Sequence, residues 1–373
     1  MFRNTRAWVA VIIIIVLSIS VIGCNKKTDI VQTDFLNSEY NFETDDQLYS
    51  DYFTMAVVDG GYYILNDSYL YFFDKASKQM VHVCSLSDCS HNTKECDAYM
   101  DYAVNIWYYN NNIYYVNGEE DGGSGTVNYV LYKTSLEGSN KEKIKRVVST
   151  SSFVPVMTLH RGYLYYSVYK NDYSSKLYRI SVEGNGKSEE IYSLRGSYAS
   201  IYKLKGYGDG IIFTTDIALS GDDAYKYDIM YYDTGSGKVS TIMKDCGAEY
   251  TVKDGCIYDV RTDGVHCFNV ESKTDEIFYN PGVMVYISYD GENFYMDNIY
   301  DIFIENTPED EHKVWVVNPE GELIDTIDLD NSYICLFGDS DYLFHDYGSG
   351  VIKMLDKSNI GTGKHEWSEL TYR

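Results

Sequence analysis

The chain has 373 residues, a formal net charge of −25, 16% aromatic residues including 40 Tyr, and only four Pro. A surface that acidic repels phosphate backbones and anionic headgroups, which excludes nucleic acid as a partner. The length is large for one compact core but ordinary for a ring of repeats that each pack on their neighbours, and no long stretch repeats its apolar residues at helical spacing.

The first segment differs from the rest. Arg3 and Arg6 precede an apolar run from Ala7 to Ile22, which ends at Gly23–Cys24. The run is short for a membrane span and ends in a small residue, as a secretory signal does. Val21-Ile22-Gly23-Cys24 resembles the bacterial lipobox. That resemblance implies a signal peptide over 1–23, cleavage before Cys24, and a lipid-modified Cys24 thiol carrying palmitate-type acyl chains. The mature chain would then sit on the extracytoplasmic face of the cell membrane, held by its lipid. Residues 24–37 are polar and aperiodic and read as a tether. Residues 38–373 read as one domain.

Along that domain a turn residue, usually with Gly beside it, is followed by an aromatic residue. The pattern occurs at Asp59–Gly60 with Tyr63, Asn110 with Tyr114, Arg161–Gly162 with Tyr165 and Asp209–Gly210 with Phe213. It continues at Asp254–Gly255 with Tyr258, Asp290–Gly291 with Phe294, and Ser340 with Phe344. Repetition at about 50 residues with short aromatic strands is the signature of propeller blades. The expected fold is all-β: a β-propeller of seven four-stranded antiparallel blades, with six or eight as alternatives. Blade 1, for example, would comprise strands a to d at Phe53–Val58, Tyr62–Leu65, Tyr69–Phe73 and Met80–Val83. Tight a–b and c–d turns contrast with long b–c connections at 117–127, 216–227 and 297–313, which predicts a working face on the b–c and d–a side. A strand near Glu39–Phe42 could pair beside the last one around His365–Leu370.

The loop leaving blade 1 carries Cys84, Cys89, His91 and Cys96 within thirteen residues. Thiolates and imidazole are the ligands of a closed tetrahedral zinc site. A disulfide among the three Cys, or to Cys335, is the competing reading outside the cytoplasm. Either cross-link would order a loop too long for turn chemistry alone. Cys246, Cys256 and Cys267 read as small buried hydrophobes, with Cys256 and Cys267 out of register for a cross-strand bridge.

The acidic runs Glu119–Asp121, Gly221–Asp223 and Glu309–Glu311 lack calcium-loop spacing and read as solvated loop charge. Adjacent Tyr pairs such as Tyr62–Tyr63 and Tyr165–Tyr166 point to opposite faces of a strand, so they serve both blade interfaces rather than a sugar. No nucleophile elbow, HExxH, P-loop or dinucleotide fingerprint occurs. The domain therefore reads as a monomeric binding or scaffolding module, with an unknown protein or glycan on its loop-rich face. A propeller lyase or hydrolase, or a metal- or redox-handling lipoprotein working through the Cys/His loop, is the alternative.

Segments 129–140 (YVLYKTSLEGSN) and 177–186 (LYRISVEGNG) carry a further signal. Their strand pattern resembles bacterial propellers named for similarity to low-density-lipoprotein-receptor-related proteins, over roughly residues 50 to 330. The resemblance implies the propeller fold and supplies no ligand. The receptor propellers have six blades and a Tyr-Trp-Thr-Asp motif that this chain lacks.

Overall fold

The computed structural model describes residues 54–123, 125–151, 153–170, 173–184, 186–196, 198–218, 225–298, 312–329, 337–346 and 351–370. Cys24, Cys335, the signal and tether segments and Glu39–Phe42 lie outside them.

The described strands form seven sheets, each of four antiparallel strands in sequence order. Blade 1 runs Thr54–Val58, Gly61–Asn66, Tyr69–Asp74 and Gln79–His82 as strands a to d. Blade 3 runs Met157–His160, Tyr163–Lys170, Ser174–Ser181 and Glu189–Arg195. Blade 7 ends the ring with Phe337–Gly338, Tyr342–Asp346, Ile352–Asp356 and Ser368–Glu369. The one described helical element is a 3-10 turn at Lys357–Asn359.

The a–b turns account for the repeat seen in the sequence. Both residues of Asn110–Asn111, Arg161–Gly162 and Asp254–Gly255 have positive φ, the conformation a two-residue hairpin needs to match strand twist. At Gly162, with φ +80°, an added Cβ would also lie 2.8 Å from the Tyr109 hydroxyl. The aromatic that follows each turn then points into a blade interface. Tyr62 and Tyr63, and likewise Tyr165 and Tyr166, are all buried, as alternation along a strand requires.

Two of the expected b–c loops are largely strand. In blade 2, strand b continues to Glu120 and strand c starts at Val127, paired throughout. In blade 4, pairing runs out to Ala218 with Tyr225. These connections are projecting hairpins, because Val127, Tyr129, Tyr225 and Tyr227 carry enough β-forming surface to extend the ladder. The third connection, 299–311, lies outside the described residues.

Seven apolar clusters fill the seven blade junctions. One joins Leu70 and Val83 of blade 1 to Ile113 and Tyr115 of blade 2. Another joins Met55, Tyr62 and Phe73 of blade 1 to Phe344, Ile352 and Met354 of blade 7, which closes the ring. That seam carries a buried polar latch. The Tyr62 hydroxyl donates to Asp339 at 2.6 Å, and Lys75 Nζ lies 2.9 Å from the same carboxylate. Burial opposes ionisation of Asp339, but the hydrogen bonds from Tyr62 and Lys75 hold its carboxyl below the usual carboxylate range. The preceding junction repeats the device: Asp290 of blade 6 accepts from Tyr295 at 2.8 Å and pairs with the buried Lys357 of blade 7.

Candidate functional site

The segment from Cys84 to Tyr102 links strand d of blade 1 to strand a of blade 2. The Leu70 N–H donates to Ala98 O at 2.8 Å, and the Met100 N–H donates to Ser68 O at 2.7 Å. The segment thus continues the outer edge of blade 1, and buried Cys96, Ala98 and Met100 pin it there. From blade 2, Lys141 Nζ donates to Tyr99 O at 2.6 Å. Lys141 belongs to a c–d turn, at the other end of its sheet from the b–c hairpin. The Gly118 N–H, in the b–c hairpin of blade 2, donates to Tyr102 O at 3.1 Å, and Ser68 belongs to the b–c turn of blade 1, so the loop runs on the b–c side while its Lys141 contact ties it into the rim of the blade 1–blade 2 junction.

There Cys84, Cys89, His91 and Cys96 converge, their ligand atoms all within 4.8 Å of one another. His91 Nδ1 lies 3.3 Å from Cys96 Sγ. His91 turns its ring inward from a left-handed backbone, φ 52°. The Ala98 N–H donates to Cys96 Sγ at 3.4 Å. Burial opposes a Cys84 thiolate, but backbone N–H groups of Leu86 and Asp97 and the neighbouring thiols lower its pKa. Burial pushes the Cys96 thiol up to about 12. Three sulfurs and one ring nitrogen at this spacing, with N–H groups aimed at sulfur, fit a soft, tetrahedral ion. All six cysteines among the described residues are unbridged.

A residue the motif does not contain supports the cluster. His82, at the end of strand d, stacks on His91 with ring centroids 4.3 Å apart and planes 11° apart. Tyr71 packs on the His82 ring at 4.5 Å and Tyr69 meets it edge-on at 5.6 Å. The ligand ring is therefore braced against the sheet. No motif spacing singles out His82, because the contact depends on where the loop folds back.

Elsewhere the cysteines behave less uniformly than the sequence suggests. Cys246 is buried, its thiol pushed up to about 12 by burial. Cys256 and Cys267 sit diagonally on adjacent strands at the blade 5–blade 6 interface, since Tyr258 is the partner of Cys267. A hydrogen bond from Cys267 holds the Cys256 thiol at about 7. Glu119, from the first acidic run, is engaged by Tyr132 and by Lys143. The His312–Asp297 contact, at 2.7 Å, is fully buried.

The b–c and d–a end of blades 2 to 4 has a second distinctive feature. Tyr102, Phe153, Tyr173, Tyr198 and Tyr225 are all exposed there, Phe153 at 82%. Tyr173 and Tyr198 meet edge-to-face at 5.8 Å, and Phe153 meets Tyr169 at 6.3 Å. Tyr102, Tyr173 and Tyr198 have φ of 51°, 59° and 52°. A left-handed tyrosine costs about 1–2 kcal/mol, so burial of these rings is not what selects the conformation. Among the described residues at the opposite ends of these sheets, only Tyr108 and Tyr163 stand out, at 39% and 37%.

No protein-family model matches the chain, and no curated protein matches it. Solved structures do. The tricorn protease matches with a TM-score of 0.59 at 9% identity, over 90% of this chain and 35% of that one. Pyrococcus horikoshii acylaminoacyl peptidase matches with a TM-score of 0.50 at 11% identity, over 73% of this chain and 46% of that one. BamB from Moraxella catarrhalis gives a TM-score of 0.40 at 12% identity, over 80% of this chain and 83% of that one. The chain spans between a third and a half of the two peptidases' lengths, and the likeness is one of fold. Among the described residues no helix is long and apolar enough to cross a membrane.

Proposed function

We propose that this propeller is a binding module, lipid-anchored through Cys24 on the extracytoplasmic face of the membrane, which works through the b–c end of blades 2 to 4. The observation that carries the reading is the one-ended distribution of exposed aromatic rings. Zinc held by Cys84, Cys89, His91 and Cys96 serves as a structural clamp between blades 1 and 2. Four protein ligands complete its shell, so no coordination position remains for a substrate.

A photo-crosslinking residue at position 198, installed in living cells, should give a discrete adduct, and the same probe at position 163 should not. Equal labelling at both positions, or none at 198, would remove the assignment of the working face. Anchoring is tested separately. Cys24→Ala should shift the protein out of the membrane fraction or leave an unprocessed precursor, and an unchanged mass and partition would rule the anchor out.

A further inference from the structure

Resting on the binding-module reading, we infer that the aromatic surface of blades 3 and 4 docks a neutral carbohydrate chain. The argument begins with charge. The chain carries −25 overall, which disfavours a polyanionic occupant. Locally the charge is mixed: Asp172 stands between Lys170 and Tyr173 in the sequence, and Asp216 pairs in register with Ser200 just after Tyr198. Lys170 and Arg195 both pair in register with Ser174, so the three form one row across the end of blade 3. Both cations are exposed, and neither has an ion-pair partner among the described residues. A polycationic peptide would meet them beside the very rings it would need. A mixed local field in an acidic molecule favours neither a polyanion nor a polycation, which leaves an uncharged polymer.

The shape of the surface narrows the choice further. Tyr173 and Tyr198 lie immediately beside that row, one in the b–c turn of blade 3 and the other just before strand a of blade 4. Phe153, packed on Tyr169, extends the surface along the same sheet end. A pyranose ring buries its C–H face on an aromatic ring and turns its hydroxyls outward in the ring plane. It therefore needs flat apolar platforms bordered by hydrogen-bonding groups rather than a deep apolar groove. Lys170 and Arg195 provide donors at that border, and the Tyr hydroxyls act in either sense. A protein partner of ordinary kind would call for a buried apolar centre, yet these loops pair their rings with Ser, Gly and charged residues.

The test uses the purified full chain in detergent, run in native gels cast with a soluble mixed-linkage β-glucan, an α-mannan or a galactan. Polygalacturonate and polylysine serve as charged comparisons. At least one neutral polymer should retard the protein. Tyr173→Ala with Tyr198→Ala should weaken that retardation about tenfold or more, which two lost stacking contacts would produce. Both rings are exposed, so the double variant should keep its unfolding midpoint. Retardation confined to a charged polymer, equal retardation of wild type and variant, or none by any neutral polymer would each overturn the carbohydrate assignment. If the neutral gels fail while the probe at position 198 still gives a protein adduct, the binding-module reading stands and only its ligand class falls.

Discussion

Each ligand of the Cys/His cluster is held from a different direction. Cys96 is buried in the blade junction, Cys84 is approached by backbone N–H groups, and His91 is braced by His82. Removing a ligand should therefore open the loop, whereas removing the brace should only loosen the ion. With zinc bound, Cys89→Ser is expected to create a protease-sensitive site between residues 84 and 103, and a strong chelator should do the same to the wild type. If a reductant reproduced the effect and a chelator did not, the link would be a disulfide. His82→Ala should speed zinc transfer to a chromogenic chelator by about tenfold, the low end for residues supporting a metal ligand, and His82→Phe should restore most of the loss because it keeps the stack. Equal rates in all three proteins would show that the stacking does not support the ligand.

The strands and turns were largely readable. The positive φ pair at Arg161–Gly162 is the reason a Gly follows the turn residue, and the buried Tyr165 is the reason an aromatic comes next. Gly162→Ala should cost about 1–2 kcal/mol in urea denaturation. Nearly all of that belongs to the backbone, because the nearby Tyr109 hydroxyl is the free end of a side chain and can move aside. A change within error would mean the turn relaxes to another type. The hairpins of blades 2 and 4 read as loops in the sequence because Gly and acidic residues suggest irregular chain, yet cross-strand pairs such as Gly118 with Tyr129 hold the ladder together.

At the level of the whole molecule, every blade is built from one continuous segment, so among the described residues no strand exchange staples blade 7 to blade 1. Side chains do it instead. Asp339→Ala would leave Tyr62 and Lys75 without their shared acceptor, and because Lys75 is partly solvated the expected loss is about 1–3 kcal/mol. The pH sign follows from the depressed carboxyl. A group whose folded pKa lies below its unfolded value stabilises above the unfolded value, about 4, and loses that contribution as pH falls through the folded one. Denaturation midpoints should accordingly fall as the pH drops below about 4, and less steeply for Asp339→Asn. Identical slopes would mean that other acids dominate.

What the sequence determined alone was local and periodic: strand alternation, hairpin turns, the repeat that counts seven blades, and the gathering of Cys84, Cys89, His91 and Cys96 in one short segment. These follow from backbone geometry and side-chain alternation, which act over a few residues. The position of that segment in the blade 1–blade 2 junction, the His82 brace, the Asp339 latch across 264 residues from Lys75, and the meeting of Tyr173 with Tyr198 were decided only by the tertiary structure. Each is a contact between elements whose separation in space is set by closing the ring, and no local pattern encodes that distance.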